Sequence, residues 1–270
     1  MNAALITGAS SGIGEEFARQ LAARGANLVL VARTEVKLAQ LCAELGARHG
    51  IEAQYVALDL AEAEAAARLF AETERRGVRV ETLINNAAFG AMGDFIELEL
   101  ERQLRMIDLN IRSLVALTHL YLKPMRARGR GEIINVASTA AYQPVPYMSV
   151  YAATKAFVLS FSEALWAENR PYGVHVMALC PGPTETNFFA AAGVESRAPF
   201  RAMQKPSDVV RTALAALERR RSSVVSGWGN YLLVQSERLF PRATIARAIA
   251  RALKNHYAKR DQPTFEEKTR

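Results

Sequence analysis

Cysteine is scarce in this 270-residue chain: there are two, Cys42 and Cys180, with no Cys-x-x-Cys spacing. A disulfide framework is thereby excluded, and both thiols read as buried small hydrophobes. Histidine is equally sparse. His49, His119, His175 and His256 show no ligand-like spacing, so no metal site is expected. No apolar run approaches the ~20 residues needed to cross a bilayer. The first strand starts at residue 3, which leaves no room for a signal peptide, so a cytoplasmic protein is expected. Linkers, repeats and low-complexity stretches are missing too. The simplest organisation is one catalytic domain over residues 1–228, with an irregular insertion at 183–205 and a tail at 229–270. The net charge of +7 is a mild basic bias, and no nucleic-acid partner is expected from it.

What is present alternates. Short β-rich runs are predicted at Ala3–Ile6, Asn27–Val31, Ala53–Ala57, Thr82–Ile84, Glu132–Val136, Val174–Leu179 and Ser223–Ser226. Helical patterns lie between them, at 35–49, 62–76, 98–126 and 151–169. Several strands are continuously apolar, as in "NLVLV" and "VHVMAL", which suits a parallel sheet covered on both faces. Strand and helix in strict alternation mean an α/β fold, a doubly wound parallel sheet of Rossmann-like type with helices on both faces.

The first strand runs into "TGASSGIG", Thr7 to Gly14, and a helix follows at once. Glycine allows tight turns and close approach of a ligand to the backbone. A helix N-terminus adds unpaired N–H groups and partial positive charge, and together these suit a phosphate. Gly8, Ser10, Ser11, Gly12, Ile13 and Gly14 are therefore candidate cofactor residues. Ligands of such folds bind beyond the carboxyl ends of the strands. The second strand ends without an acid, in Val31-Ala32-Arg33. An acidic residue there would suit the ribose hydroxyl of NAD, whereas an arginine suits the 2′-phosphate of NADP. Asp59 and Leu60 close the third strand and face the adenine position, with a helix cap as the other reading of Asp59.

The helix near 151 carries "YAATK", which puts Tyr151 and Lys155 on one face. An unperturbed phenol has a pKa of about 10, and a neighbouring ammonium favours the phenolate. Reaching neutrality takes ~3 units, roughly 4 kcal/mol. Such a tyrosine can give a proton to a carbonyl oxygen during hydride addition, or take one back. The fifth strand ends at Ser138, placed to hold the substrate oxygen beside the phenol. Asn85-Asn86-Ala87-Ala88 follows the fourth strand, and Pro181-Gly182-Pro183-Thr184-Glu185-Thr186 follows the sixth. Asn110 sits mid-helix, where asparagine competes for the backbone, which hints at a local break with Asn110 contacting backbone or water.

Taken together, these motifs resemble the short-chain dehydrogenase/reductase family, from Thr7 to about Thr186 and more weakly to about residue 228. The glycine motif matches Gly8, Gly12 and Gly14; the catalytic set matches Ser138, Tyr151, Lys155 and Asn110; the Pro-Gly turn matches Pro181, Gly182 and Thr186. One departure is Ala88, where the family usually has glycine. The resemblance implies Tyr151 as general acid/base and Ser138 as the group orienting the carbonyl. It implies Lys155 lowering the phenol pKa and holding the nicotinamide ribose, and Asn110 anchoring a water that links Lys155 to solvent. It also implies cofactor contacts from Asn86, Ala87, Pro181, Gly182, Thr184 and Thr186, and a homodimer or homotetramer.

The expected function is an NADPH-dependent reductase of an apolar ketone or aldehyde. A reductase of acyl-thioester or lipid-like ketones is the alternative, and an NADP-binding sensor or scaffold without turnover is the rival of another class. Phe188, Phe189, Val194 and Phe200 in the insertion suggest an apolar substrate, or else pack the insertion on the body. In the tail, Ile245, Ile249 and Leu253 share one face and Arg247, Arg251 and Lys254 the opposite one. Such a helix can lie on an anionic membrane, meet an acidic partner, or pack on its own core.

Overall fold

The computed structural model describes residues 1–194, 203–254 and 256. Seven parallel strands form one sheet in the order β3-β2-β1-β4-β5-β6-β7. They are β1 (Asn2–Thr7), β2 (Asn27–Ala32), β3 (Ala53–Ala57), β4 (Arg79–Asn85), β5 (Gly131–Val136), β6 (Val174–Cys180) and β7 (Ser223–Val225). The order reverses between β1 and β4, and this switch point is where a doubly wound sheet opens a crevice for ligands.

The continuous apolar runs are explained by burial on both faces. Successive side chains alternate, so Ile6, Leu30, Ile134 and Met177 enter one core while Leu5, Val29, Ile133 and Val176 enter the other. The first core is covered by α1 (Gly12–Ala23), α2 (Glu35–His49) and α8 (Pro206–Glu218), through Phe17, Leu38, Leu45 and Leu214. The second is covered by α3 (Ala65–Arg75) and α5 (Leu114–Ala127), through Leu69, Leu117 and Tyr121. Cys42 and Cys180 are buried free thiols, as expected.

The long helix expected at 98–126 is interrupted. It comprises α4 (Leu100–Ile107), a π-helical turn over Asp108–Ser113 and α5. The wide turn contains Asn110, the residue whose helix-interior position signalled a break. The remaining helices are α6 (Ser149–Asn169), the short α7 (Phe188–Ala191), α9 (Trp228–Glu237) and α10 (Arg242–Leu253). No helix of the described residues is long and apolar enough to cross a membrane.

Candidate active site

Every expected polar site residue lies at the carboxyl edge of the sheet or on the helices that follow it. At β1, Gly8 and Gly12 have φ of 65° and 60°, the left-handed region that favours glycine. Gly14 is required for a different reason. A Cβ there would lie 2.3 Å from the Gly8 carbonyl oxygen, so α1 could not pack this close to the loop. Ser11 precedes α1 in extended backbone and makes no side-chain cap, which leaves the first N–H groups of the helix without a capping side chain. Ile13 packs on the core beneath.

The neighbouring loops are tied to the glycine turn. Thr7 Oγ1 donates to the Ile84 carbonyl at 3.2 Å and accepts from the backbone N–H groups of Asn86 and Ala87, at 2.9 and 3.0 Å. Asn86 Nδ2 donates back to the Thr7 carbonyl at 2.9 Å and the Gly8 carbonyl at 3.3 Å. Asn86 thus holds the cradle in shape. Ala88 is not among the residues with positive φ, so its backbone conformation is one that a residue with a Cβ adopts without strain. A cleft of about 410 Å³ opens beside the loop, lined by Ser10, Ser11, Gly12, Lys37, Thr186 and Asn187. Thr186 stands directly over Gly12, 2.9 Å from where a Cβ would be. Pro181 is buried at the end of β6, and Thr184 Oγ1 donates to the Gly182 carbonyl at 2.9 Å, bracing that turn.

Arg33 follows β2 directly, is exposed, and makes no ion pair with any described residue. Lys37, in the first turns of α2, is a second cation on this side. Sequence reading missed it, although "RTEVK" places it one helical turn beyond Arg33. Asp59 corrects an expectation. β3 ends at Ala57 and α3 starts at Ala65, so Asp59 caps no helix. Its carboxylate instead accepts from the Ala61 N–H at 3.0 Å and from Arg105 Nη2 at 2.8 Å. The Leu60 side chain is turned into the core.

A double-glycine turn, a free helix N-terminus and an unpaired guanidinium suit a dinucleotide phosphate chain, so the residues present fit the expected cofactor.

Across the crevice, Tyr151 stands on α6 with Lys155 one turn on. Ser138, at the end of β5, accepts from the Ala140 N–H at 3.1 Å and donates to the Pro181 carbonyl at 3.4 Å. Lys155 is buried and donates to the Val136 carbonyl at 2.7 Å, with its Nζ 5.8 Å from the Tyr151 ring centre. Burial pushes the Tyr151 phenol up to about 12, opposed by its hydrogen bond with Ser138. The Lys155 ammonium is aimed at a backbone carbonyl, and burial holds Lys155 itself down at about 8.

Asn110 contacts backbone at the helix break, as its position signalled. Its amide accepts from the Phe89 N–H at 3.2 Å and donates to the Phe89 carbonyl and to Thr154 Oγ1, both at 3.1 Å. The side chain is therefore a clamp, joining the loop after β4 to the helix turn between Tyr151 and Lys155. A buried polar relay was missed altogether. Asn85 Nδ2 donates to Thr118 Oγ1 at 3.0 Å and to Asn135 Oδ1 at 2.9 Å, and Asn135 Nδ2 donates to Ser162 Oγ at 3.0 Å.

Beyond Tyr151 the surroundings turn apolar. Met92, Met148 and Leu253 form a buried cluster, with Val145, Tyr151, Phe188, Val194 and Ile249 packed against it. Phe188 lies against Tyr151, ring centres 5.1 Å apart. Gly90 makes room for this pair, since a Cβ there would meet the Phe188 ring edge at 2.7 Å. Phe188, Phe189 and Val194 thus serve this wall or its support, while Phe200 lies outside the described residues. In the tail, Leu253 is buried and Ile249 is half-buried in the same cluster, so this end of the apolar face of α10 packs on the body. Arg247, Arg251 and Lys254 face water.

Residues 2–196 match the short chain dehydrogenase family. The very-long-chain 3-oxoacyl-CoA reductase of Phaeosphaeria nodorum is 34% identical over 220 residues, which are 80% of this chain and 63% of that protein. The protein of the same name from Anas platyrhynchos is 35% identical over 183 residues, 66% of this chain and 58% of that one. The chain therefore spans about three fifths of the length of these two relatives. Among solved structures, a short-chain dehydrogenase from Sphingobium yanoikuyae in complex with NADPH superposes with a TM-score of 0.80 at 31% identity, covering 97% of this chain and 98% of that one. A match that runs from β1 past the turn after β6, on the strand order described above, makes this chain a member of the short-chain dehydrogenase/reductase family.

Proposed function

We propose that this protein is an NADPH-dependent reductase of a lipid-like ketone, with a 3-oxoacyl thioester as the favoured form. The observation that carries the reading is the apolar cluster packed against Tyr151. Its members come from the loop after β4, from α6, from α7 and from α10. A small polar aldehyde would gain little beside such a cluster, whereas an acyl chain laid along it buries area. Two relatives are named as very-long-chain 3-oxoacyl-CoA reductases, which agrees. This reading takes the place of a general ketone or aldehyde reductase.

When bound, the cofactor supplies a hydride. It would be held by the Gly8–Gly14 loop, with Arg33 and Lys37 toward its 2′-phosphate and Lys155 toward its nicotinamide ribose. The chain's own residues do the rest. Ser138 donates to the carbonyl oxygen and fixes it beside Tyr151. The raised phenol pKa keeps Tyr151 protonated at neutral pH, so it is ready to donate as negative charge develops on that oxygen. Asn110 and Thr154 hold the turn of α6 that presents the phenol. The apolar cluster beside Tyr151 would exclude water from the reacting carbonyl.

The test is NADPH oxidation across aldehydes, simple ketones and 3-oxoacyl thioesters of increasing chain length. Rising kcat/KM with acyl length is expected. Faster turnover of short aldehydes, or none of any thioester, would overturn the substrate assignment.

A further inference from the structure

Two stretches of the described residues expose several large apolar side chains each, and they differ in charge. One lies at Phe95–Ile107, with Ile96 at 81% and Leu100 at 67% exposure. Acids crowd it: Asp94, Glu97, Glu99, Glu101 and Asp108, against Arg102 and Arg105. The other runs from Trp228 to Phe240 and contains Trp228 at 74%, Leu239 at 79% and Phe240 at 58% exposure. Its only carboxylate, Glu237, is half-buried, while Arg238 and Arg242 are exposed.

The second surface is firmly built. Val234 is buried beneath α9, and Asn230 Nδ2 donates to the Ser226 carbonyl at 2.8 Å and to Gln204 Oε1 at 3.1 Å. That anchor leaves Trp228 and Leu232, one turn apart, facing outward, with Tyr231 stacked on Trp228 at 5.6 Å. The chain then turns through Arg238-Leu239-Phe240-Pro241-Arg242, all five exposed. A guanidinium thus flanks each side of two apolar side chains held in water at a corner. Arg242 Nη1 also donates to the Tyr142 carbonyl at 3.3 Å, which fixes the corner to the body.

We propose that this corner, Trp228 to Arg242, is a docking surface for an anionic lipid bilayer. Leu239 and Phe240 enter the boundary between headgroups and acyl chains. Arg238 and Arg242 meet headgroup phosphates, and Trp228 and Tyr231 sit at the interfacial level that suits amphipathic rings. The charge decides the occupant, because an anionic surface attracts this corner and repels the acidic one. The corner leads directly into α10, whose Ile249 and Leu253 pack in the apolar cluster that includes Tyr151. The inference does not depend on the substrate assignment.

Co-sedimentation of the full chain with phosphatidylcholine vesicles, with and without phosphatidylglycerol, tests it. At low salt the protein should sediment with the phosphatidylglycerol vesicles, and high salt should release most of it. The double variant Leu239→Asp, Phe240→Asp should lose at least ~10-fold of the partitioning, in the range expected for moving two apolar groups back into water. Arg238→Glu with Arg242→Glu should remove the preference for phosphatidylglycerol. Both variants should keep wild-type turnover of a water-soluble ketone, which shows that the fold is intact. Wild-type protein that stays in the supernatant, or variants that sediment like it, would overturn the proposal. So would light scattering in which the Leu239→Asp, Phe240→Asp variant dissociates a dimer that ignores vesicles, since the corner is then a subunit contact.

Discussion

The two sides of the crevice are built by opposite means. The cofactor side is polar and local: Thr7, Gly8, Gly12 and Gly14 fall within eight residues, and a few hydrogen bonds tie them to Asn86. The side beyond Tyr151, proposed for the substrate, is apolar and remote, with Met92, Met148 and Leu253 drawn together from across the chain. Hydrogen-bonded geometry fixes a reaction and a cofactor through a few atoms. Apolar packing selects a substrate by area and shape, which many sequences can supply. Changes on the first side should therefore be steep and specific, and changes on the second graded.

The steepest should be Tyr151→Phe, which removes the proton donor and leaves the ring in place. Turnover should fall at least ~100-fold, the low end of a general acid's contribution. NADPH affinity, read by fluorescence titration, should hardly move. A variant within a few-fold of wild type would remove Tyr151 from catalysis. Next comes Arg33→Asp. Charge-assisted hydrogen bonds contribute about 1.5–3 kcal/mol each, so wild type should prefer NADPH over NADH by roughly 10- to 100-fold. The variant should reverse that preference in kcat/KM measured with one shared substrate. Equal use of both cofactors by wild type would show that Arg33 does not read the phosphate.

On the apolar side, Leu253→Ala should act by degree. Truncating a buried leucine costs about 2–5 kcal/mol of stability where the site cannot collapse, and the low end is expected in this terminal helix. Thermal melting should show that loss. KM for a long-chain ketone should rise by a few-fold up to ~10-fold, as one wall contact is worth about 1–3 kcal/mol, while a short ketone is little affected. An equal loss for both substrates would mean that α10 only supports the fold.

The smallest effect near neutrality concerns pH. Burial holds Lys155 down at about 8. Its ammonium is present below that pH and lost above it, so kcat/KM for NADPH, which reports groups of the free enzyme, should be about halved near pH 8 and fall further beyond. Tyr151, pushed up to about 12, should not contribute that limb. Lys155→Arg should move the limb upward. Stability should run the other way: between about 8 and 10.5 the unfolded chain binds the proton more readily than the folded one, so this group adds stability as pH rises.

The same contrast explains what the sequence made legible. Alternating strands and helices, the glycine turn and the Tyr151–Lys155 pair depend on spacing within a few residues, which is visible in one dimension. So was the break at Asn110, because asparagine is out of place inside a helix. The Asn85–Asn135–Ser162 relay was not, since nothing in a strand pattern reveals which polar groups will face each other. Nor was the setting of α10. An amphipathic pattern reveals a face but not its cover, and Ile249 and Leu253 read alike against lipid or against Met148. Gly90 went unnoticed because its reason, the Phe188 ring, lies far along the chain.

The Asn85–Asn135 pair also bears on how the sheet assembles. Strands that are apolar on both faces lose little burial when they slide past one another, so misaligned pairings compete with the native one. Asn85 and Asn135 stand opposite each other in the β4–β5 pairing. A slip of one residue would separate the two amides and leave each buried without its partner, at a cost of about 1–3 kcal/mol per group. In the middle of a greasy sheet, two asparagines act as a key that fits only one alignment, and they would make mispaired intermediates reopen before the outer strands β3 and β7 are added.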